Sequence, residues 1–288
     1  MQQMILMVVL ATMVYAVSLD LRIQDFRYVA QHPLAVAVGL IAQFALLPAA
    51  TVGITLLLDL PGPTAAAMML VAACPGGALS NVITHFGRGN LALSLSISAV
   101  SNLLALVMTP LNFAWMIAAN PATASWARSI AVDPSDLWIS LVLLLAFPMT
   151  LAMLTLRFAP QIAGKVRKPL ERVAVMALFV FIAGAVAAQF KLFVIELSRT
   201  LPVVIMHNGL GLFLGYVASQ LARLSTADRR AVMIEGGMQN SGLALGIIGA
   251  QFASDLNMVA VAGLWGIWHI VSGATLALWW RRADKQPT

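Results

Sequence analysis

Nine stretches of mostly apolar residues, each long enough to cross a lipid bilayer, restrict this chain to a helical membrane protein. A crossing needs about 20 such residues, and inside lipid a segment must satisfy its own backbone hydrogen bonds, as a helix does. The stretches cover residues 3–19, 34–58, 63–84, 90–118, 136–156, 173–190, 201–222, 229–253 and 257–280. Only 10% of the residues are charged, against roughly a quarter in soluble domains. The sequence therefore predicts an all-α polytopic membrane protein of about nine transmembrane helices, with residues 1–288 forming one unit.

The first apolar stretch, residues 3–19, has the length of a secretory signal peptide but lacks the usual flanks. No Lys or Arg precedes it, and no small-x-small cleavage site with a polar region behind it follows. We therefore expect this stretch to remain in the protein as the first membrane span.

Basic residues are concentrated in alternate loops between the predicted spans. Of the 17 Lys and Arg residues, 14 fall on one side of the membrane, and Arg128, Lys191 and Arg199 fall on the other. Since cytoplasmic loops carry the excess of positive charge, we expect the N-terminus outside and the C-terminus in the cytoplasm. The same distribution explains the net charge of +6 without a patch that binds nucleic acid.

Two of the predicted spans, the third and the eighth, are interrupted by residues that break helices. Pro75, Gly76 and Gly77 interrupt the third, and Gly236 and Gly237 interrupt the eighth. The glycine pairs lie 160 residues apart, and after two further residues each is followed by one Ser and one Asn. Because the eighth span lies five crossings after the third, the two copies run in opposite directions, as inverted repeats require. We expect these two discontinuous helices to cross at the midplane of the membrane.

The interruptions free backbone groups in the middle of the membrane. Glycine pairs lower helix stability and Pro75 has no backbone N–H, so carbonyls and amides lose their helical partners. Such groups are tolerated at this depth where they line a cavity or bind something. Unwound carbonyls suit a hard cation, and the N-terminus of each half-helix suits an anion. Close packing of helices through small residues is the alternative, but two matched motifs of opposite direction favour a binding site.

Glu235, beside the second interruption, is the single acidic residue that falls in the middle of an apolar, membrane-length segment. A carboxylate at this depth is costly and is usually kept for handling an ion or a substrate. Other polar residues of the predicted spans are Gln43, Ser94, Ser98, Ser101, Asn102, His207, Asn208 and His269. Carboxylate, amide, hydroxyl and carbonyl oxygens are hard ligands, which favours Na⁺ over a transition metal. Protonation of Glu235 in place of Na⁺ binding is the open alternative.

Four stretches of this sequence resemble the bile acid:sodium symporter family, which includes bacterial homologues of the apical bile acid transporter. They are ACPGGALSNVITHFGRGNLALSLSISAVS (residues 73–101), HNGLG (207–211), IEGGMQNSGLA (234–244) and WHIVSG (268–273). The similarity runs through the whole chain, and the two broken-helix motifs together are specific to the family. The resemblance implies a core subdomain of about residues 34–118 and 201–280, and a panel subdomain of about residues 1–19 and 136–190.

The resemblance also implies two Na⁺ ions behind the crossing of the broken helices, and no organic cofactor. The first ion would be held by Ser80, Asn81, Ser94, Ser98 and Glu235. The second would be held by the side chains of Gln43, Glu235 and Gln239 and by the carbonyls of Gly236 and Met238. The organic anion would bind in the crevice near Ala78, Asn240 and His269.

Three departures from the family pattern concern features other than the cation ligands. Bacterial relatives commonly have a tenth, N-terminal helix, and we expect this chain to be a nine-helix form without it. Ala78 stands in place of a hydroxyl residue, and Ile270 stands in place of an Asn that often follows the intramembrane His. We therefore expect a sodium-coupled symporter in a bacterial inner membrane, moving a bile-acid-like anion or a smaller carboxylate by alternating access.

Other functions stay open on the sequence alone. A proton-coupled or uncoupled carrier of related fold, such as a metalloid exporter, would not be stabilised by Na⁺. A receptor-like membrane protein would bind the anion without moving it. We predict that the chain is not an enzyme, because it has a lone cysteine, Cys74, no paired carboxylates and no phosphate-binding loop of the Gly-Lys-Ser type.

Overall fold

The computed structural model describes residues 2–19, 23–130, 134–188, 190–252 and 255–284, and within these ranges the protein is helical, without a β-strand. The helices are α1 (Gln2–Ser18), α2 (Ile23–Gln31), α3 (Pro33–Ile41), α4 (Leu47–Leu57), α5 (Gly62–Ala73), α6 (Ala78–Phe86), α7 (Leu91–Ala119), α8 (Pro121–Ser129), α9 (Pro134–Phe158), α10 (Pro160–Ala188), α11 (Phe190–Leu221), α12 (Thr226–Gly237), α13 (Ser241–Gln251) and α14 (Leu256–Ala283). A π-helical turn, Ala42–Leu46, joins α3 to α4. The prediction of an all-α membrane protein is confirmed.

The long helices of the fold follow the predicted membrane spans. Among the described residues, four helical runs are long and apolar enough to cross a membrane: Pro33–Leu57, Leu91–Ala119, Leu197–Leu221 and Leu256–Ala283. Shorter apolar helices are Met7–Ser18, Gly62–Ala73, Leu144–Phe158 and Ser241–Gln251. The third and eighth spans are discontinuous, as predicted: α5 and α6 form one broken rod, and α12 and α13 form the other.

Helical structure extends beyond the apolar stretches in several places. The short helices α2 and α8 occupy segments that the sequence marks only as breaks, α10 begins at Pro160 instead of residue 173, and α11 begins at Phe190 instead of residue 201. Hydropathy detects the part of a helix that needs lipid, whereas the polar continuation outside the membrane leaves no such signal. As a result, the basic residues between the fifth and sixth predicted spans lie on helices: Arg157 on the last turn of α9, and Lys165, Arg167, Lys168 and Arg172 on α10.

The helices form two groups in contact. One group consists of α1, α9 and α10, which pack against one another. It meets the remaining helices mainly where α1 contacts α13 and where α9 contacts α7. The main apolar core runs through α5, α7, α13 and α14 and fully buries large side chains such as Phe113 and Trp265. This arrangement places the breaks of both interrupted rods next to the junction between the two groups.

Arg230 of α12 ties three segments together at one end of the molecule. Its Nη1 and Nη2 donate hydrogen bonds to the carboxylate of Asp284, at 2.8 and 2.7 Å, just after α14. Nη1 also donates to the carbonyl of Gly87 in the turn between α6 and α7, at 3.1 Å, and the guanidinium lies over the Trp280 ring. The hydrogen bond from Arg230 holds the pKa of Asp284 below its ordinary value. The charge of Arg230 is therefore already matched within the protein.

Candidate cation site at the helix crossing

The two interrupted rods cross by pairing their unwound segments like two antiparallel strands. Gly76 and Gln239 form an antiparallel bridge. The amide of Gly77 donates to the carbonyl of Met238 at 3.3 Å, and the amide of Asn240 donates to the carbonyl of Pro75 at 2.8 Å. Backbone groups released by each break thus find partners in the other break, which is what an apolar environment demands.

The end of α5 is fixed by its own sequence and by a neighbouring helix. Cys74 adopts an extended conformation, and Pro75 has no N–H with which to continue the helix. The Thr109 hydroxyl of α7 donates to the carbonyl of Ala73, the last residue of α5, at 2.8 Å. A terminal carbonyl that the break would leave without a donor is therefore satisfied from α7.

The second glycine pair does not unwind its helix, which corrects the interpretation of the sequence. Gly236 and Gly237 are still helical, and the break falls on residues 238–240. A methyl group on Gly211 of α11 would lie 2.7 Å from the Gly236 carbonyl, and one on Gly237 would lie 2.3 Å from a Leu212 side-chain carbon. These glycines let α11 and α12 approach closely, so here the small-residue packing alternative was right.

Glu235, at the end of α12, is fully buried and is surrounded by serine hydroxyls. Ser80 of α6 donates to its Oε1 at 2.6 Å, and Ser94 of α7 donates to the same oxygen at 2.5 Å. Ser98, one turn beyond Ser94, lies 3.2 Å from Oε1 and 3.1 Å from Oε2. The break at residues 74–77 lets α6 start in a new direction, with Ser80 turned toward this carboxylate.

The hydroxyl groups of this cluster donate fewer hydrogen bonds than the oxygens around them can accept. Ser94 Oγ carries one proton, yet it also lies 2.9 Å from Asn81 Oδ1 and 3.3 Å from Thr84 Oγ1. Ser80 Oγ lies 2.7 Å from the Gly77 carbonyl as well as close to Glu235. A cluster with more lone pairs than donors, built around one carboxylate, has the chemistry of a site for a hard cation.

All five residues predicted for the first Na⁺ site lie together in this cluster. Asn81 joins it through Ser94 and through Ser98, since its Nδ2 lies 3.3 Å from Ser98 Oγ. Thr84 belongs to the same cluster and was missed in the sequence. Its position one turn after Ser80 on α6 was the available signal, because residues four apart share a helix face.

The residues predicted for the second Na⁺ site lie on the other side of the Glu235 carboxylate. Gln43 Nε2 donates to Gln239 Oε1 at 3.2 Å, and Gln239 Nε2 donates to the Gly236 carbonyl at 3.1 Å. A methyl group on Gly76 would lie 2.6 Å from Glu235 Oε2 and 3.2 Å from Gln43 Nε2, so these groups converge on that glycine.

One side-chain oxygen of this second group has no hydrogen-bond donor among the described residues. Gln43 Oε1 is buried, and no donor from the described residues reaches it. Of the two predicted backbone ligands, the Gly236 carbonyl accepts from Gln239, and the Met238 carbonyl accepts from the Gly77 amide. The donor set fits a hard cation, because a buried amide oxygen without a donor and a carboxylate oxygen belong to two side chains that both reach Gly76.

A π-helical turn places Gln43 at this point. Pro48 cannot donate a hydrogen bond to the carbonyl of Phe44, four residues earlier. The side chain of Asn112 on α7 supplies the missing donor, with its Nδ2 at 2.9 Å from that carbonyl. Such π turns are frequent at functional sites. The sequence carried the signal in Pro48, inside the second span, but its partner on α7 can be found only from the fold.

The three residues predicted to bind the organic anion do not share one environment in the structure. Asn240 accepts a hydrogen bond from the Leu243 amide at 3.0 Å and lines a cavity of about 170 Å³. Ala78 is the first residue of α6. His269 is buried on α14, with Nδ1 2.7 Å from the Trp265 carbonyl, and it is not among the described residues that line this cavity.

The cavity lies between the two groups of helices. Pro75 and Asn240 supply one wall from the two breaks, and Asn102 contributes from α7. The opposite wall comes from α1 and α9 and consists of Met13, Val14, Val17, Ser18, Leu145 and Met149. The polar cluster around Glu235 and this cavity therefore lie at the same crossing, where the breaks separate them.

A second polar cluster supports the end of α12. Asn208 of α11 donates from Nδ2 to the Gly237 carbonyl at 2.6 Å and accepts from the Ser272 hydroxyl at 2.6 Å. Next to it, His207 Nε2 lies 2.7 Å from the hydroxyl of Thr51. Asn208 thus satisfies a carbonyl that the break leaves free, which is a structural role for a residue that the sequence marked only as polar.

The model of the family described as "Sodium Bile acid symporter family" matches residues 7–196. This chain belongs to that family. The match confirms the resemblance drawn from the four quoted stretches.

Similar proteins are named as transporters and not as enzymes. The chain is 32% identical to the "uncharacterized sodium-dependent transporter YocS" of Bacillus subtilis, over 96% of this chain and 83% of that protein. It is 27% identical to the human ileal sodium/bile acid cotransporter, over 88% of this chain and 72% of that protein. With the rice chloroplastic protein named "probable sodium/metabolite cotransporter BASS1" it shares 30% identity over 92% of this chain, which spans 63% of that longer relative.

Proposed function

We propose that this protein is a sodium-coupled symporter of an organic anion. The observation that carries the proposal is the crossing itself, where one buried carboxylate is shared between two groups of neutral oxygen ligands. The names of the relatives in Bacillus subtilis, in rice and in human all include sodium. A cation that binds at Glu235 would hold α6, α7 and α12 together, and with them the walls of the neighbouring cavity.

The ligand chemistry favours a monovalent cation. Within the described residues of the cluster, Glu235 is the carboxylate, and the other side-chain ligands are hydroxyls and amides. Protein sites for Ca²⁺ usually gather several carboxylates, whereas one negative charge with neutral oxygens balances Na⁺. We assign the first ion to Ser80, Asn81, Ser94, Ser98 and Glu235. We assign the second to Gln43, Glu235, Gln239 and the carbonyls of Gly236 and Met238.

The substrate would occupy the cavity between the breaks and α1. Its described lining is apolar apart from the polar side chains of Ser18, Asn102 and Asn240, and it includes no basic side chain. The negative charge of the substrate is then balanced by the bound cations and by the N-termini of the half-helices α6 and α13. A volume of about 170 Å³ lies below the 300–1,000 Å³ usual for drug-sized ligands. It suits a small carboxylate better than a steroid acid.

Transport would follow from movement of the two groups of helices against each other. In this mechanism α1, α9 and α10 form a panel, and the remaining rods form a core that carries the cation sites. Na⁺ can drive the cycle if it favours the conformation that binds substrate, because a ligand shifts an equilibrium only by its differential affinity. We place the protein in a bacterial inner membrane, with the arginine-rich ends of the rods in the cytoplasm and the N-terminus outside.

The proposal is tested by uptake into proteoliposomes. Labelled organic anions of graded size, from small carboxylates to a bile acid, are offered under an inward Na⁺ gradient or an equal K⁺ gradient. We expect a small carboxylate to accumulate with Na⁺ and not with K⁺. Uptake driven equally by a proton gradient would identify the proton-coupled alternative. Binding without accumulation or counterflow would identify a receptor, and either result would contradict the proposal.

A further inference from the structure

Two grooves join end to end on the surface formed by α11, α12 and α14, and none of the described residues that line them belongs to the polar cluster around Glu235. The apolar groove runs between α11 and α14, has a volume of about 450 Å³, and is lined by side chains such as Phe213 and Val271. The basic groove has a volume of about 440 Å³ and contains Arg229 and two tryptophans, Trp279 and Trp280. Tyr216 and Met233 line both grooves, so the two form one continuous channel on the surface.

The dimensions of this surface match one leaflet of a bilayer. Along α11 the channel extends from Gly209 to Gln220. At 1.5 Å per residue this is about 17 Å, close to half of a hydrocarbon core of about 30 Å. A methyl group on Gly209 would have no neighbour within 4 Å, so the far end of the apolar groove is open. Phe213 and Val271 expose 58% and 48% of their surface there, as side chains in contact with lipid do.

The basic groove carries a positive charge that no carboxylate of the described residues balances. Arg230 is paired with Asp284, but no carboxylate of the described residues lies within ion-pair distance of Arg229. Arg229 donates from Nη1 to the side-chain carbonyl of Gln220, and its Nε is buried with no acceptor in the described part of the chain. Gln220 in turn donates to the Tyr216 hydroxyl at 2.7 Å. The side chains of this groove are therefore oriented around a guanidinium that has no carboxylate partner in the part of the chain that the structure describes.

The nearest acid in sequence does not supply that anion. Asp228 accepts hydrogen bonds from Asn90 at 2.7 Å and from the Ser225 hydroxyl at 2.8 Å, and it is not among the residues described as lining the groove. Tryptophan and arginine together are typical of the level of lipid headgroups. A negative group on a molecule whose tail fills the apolar groove would meet Arg229 at this level.

We propose that the channel binds an anionic phospholipid, with one acyl chain in the apolar groove and the phosphate at Arg229. The continuity of the two grooves requires a ligand that is apolar at one end and anionic at the other. Along α11 the apolar groove runs from Gly209 to Tyr216, about 10 Å, so with the basic groove it accommodates a chain that reaches from the headgroup level about halfway through the membrane. A bound lipid would brace α12, the helix that carries Glu235, against α11 and α14.

The test measures thermal unfolding of the detergent-purified protein with phosphatidylglycerol or phosphatidylcholine added in mixed micelles. We expect phosphatidylglycerol to raise the melting temperature more than phosphatidylcholine does. In Arg229→Gln the apparent affinity for phosphatidylglycerol should fall at least about fivefold. Gly209→Leu, which fills the open end of the apolar groove, should weaken the response while leaving every arginine in place. Native mass spectrometry of the same samples counts the lipids that remain bound.

The matched control is Arg281→Gln, which removes an exposed charge from the last turn of α14 and leaves the lining of both grooves intact. It should keep the wild-type response. An equal loss in this variant would show general attraction to surface charge and would overturn the proposal. So would an unchanged response in Arg229→Gln, or equal stabilisation by the two lipids. Equal stabilisation by soluble glycerol phosphate would identify a site for free anions instead of a lipid site.

Discussion

Replacing Glu235 with glutamine is expected to lower sodium-driven uptake by about two to three orders of magnitude. The substitution keeps the size of the side chain and one acceptor oxygen for the hydroxyls of Ser80 and Ser94, but it removes the charge shared by the two proposed cation sites. Removing one partner of a buried charged pair costs about 3–5 kcal/mol, and about 1.4 kcal/mol corresponds to tenfold in affinity. Initial rates of uptake into proteoliposomes measure the loss, with reconstituted protein quantified for each variant.

The matched control for this prediction is Asp255→Asn. Asp255 caps the N-terminus of α14, where its Oδ1 accepts from the amides of Asn257 and Met258 at 3.0 and 3.1 Å. Because Asn is as good a cap as Asp, this exchange of carboxylate for amide should change uptake less than about twofold. Sodium-driven uptake that survives in Glu235→Gln at the level of the control would show that the carboxylate is not the centre of coupling.

Adding a single methyl group at Gly76 is expected to cause the second-largest loss, about 5- to 150-fold in sodium affinity. The methyl carbon would lie 2.6 Å from Glu235 Oε2 and 3.2 Å from Gln43 Nε2, both closer than ordinary contact. The backbone at Gly76 has no positive φ, so alanine fits its conformation, and the cost arises from the side chains that must move. Overpacking of this kind costs about 1–3 kcal/mol. Sodium-dependent thermal stabilisation of Gly76→Ala measures the change.

Gly263→Ala is the control for Gly76→Ala. Gly263 lies inside α14, and a methyl group there would meet nothing within 4 Å. Alanine should therefore stabilise that helix by about 0.5–1 kcal/mol and leave the response to sodium unchanged. If Gly76→Ala responded to sodium as Gly263→Ala does, the space beside Glu235 Oε2 would not be part of a cation site.

Much of this fold could be predicted from sequence because the membrane imposes a simple rule. The apolar stretches of membrane-spanning length predicted the long helices, and Pro75 with Gly76 and Gly77 predicted the first break. The second break was placed too early, at Gly236 and Gly237, because glycine has two uses in a helix. It weakens the helix, and it also permits close approach of a neighbour, here α11. Sequence alone does not distinguish these uses, since the partner helix is supplied by the tertiary fold.

The sequence predicted those parts of the candidate site where the residue types suit a cation and their spacing places them on one helix face. Ser94 and Ser98, four residues apart on α7, share a face, and an acid in an apolar segment requires polar partners. The π turn at Gln43 and its support by Asn112 depend on a contact between residues 68 positions apart, so no local pattern records them. His269 is not among the described residues that line the cavity, because its direction depends on the rotation of α14 about its own axis. The sequence marks His269 as polar but does not determine that rotation.

Sodium coupling in this protein depends on one proposed arrangement, in which antiparallel breaks bring Glu235 between two groups of oxygen ligands that together bind sodium. Equilibrium binding of radioactive Na⁺ to the purified protein tests this most directly, with an excess of K⁺ present and without any substrate. We predict saturable binding to the wild-type protein and to Asp255→Asn, and its loss in Glu235→Gln. Saturable Na⁺ binding that is unchanged in Glu235→Gln would contradict the account.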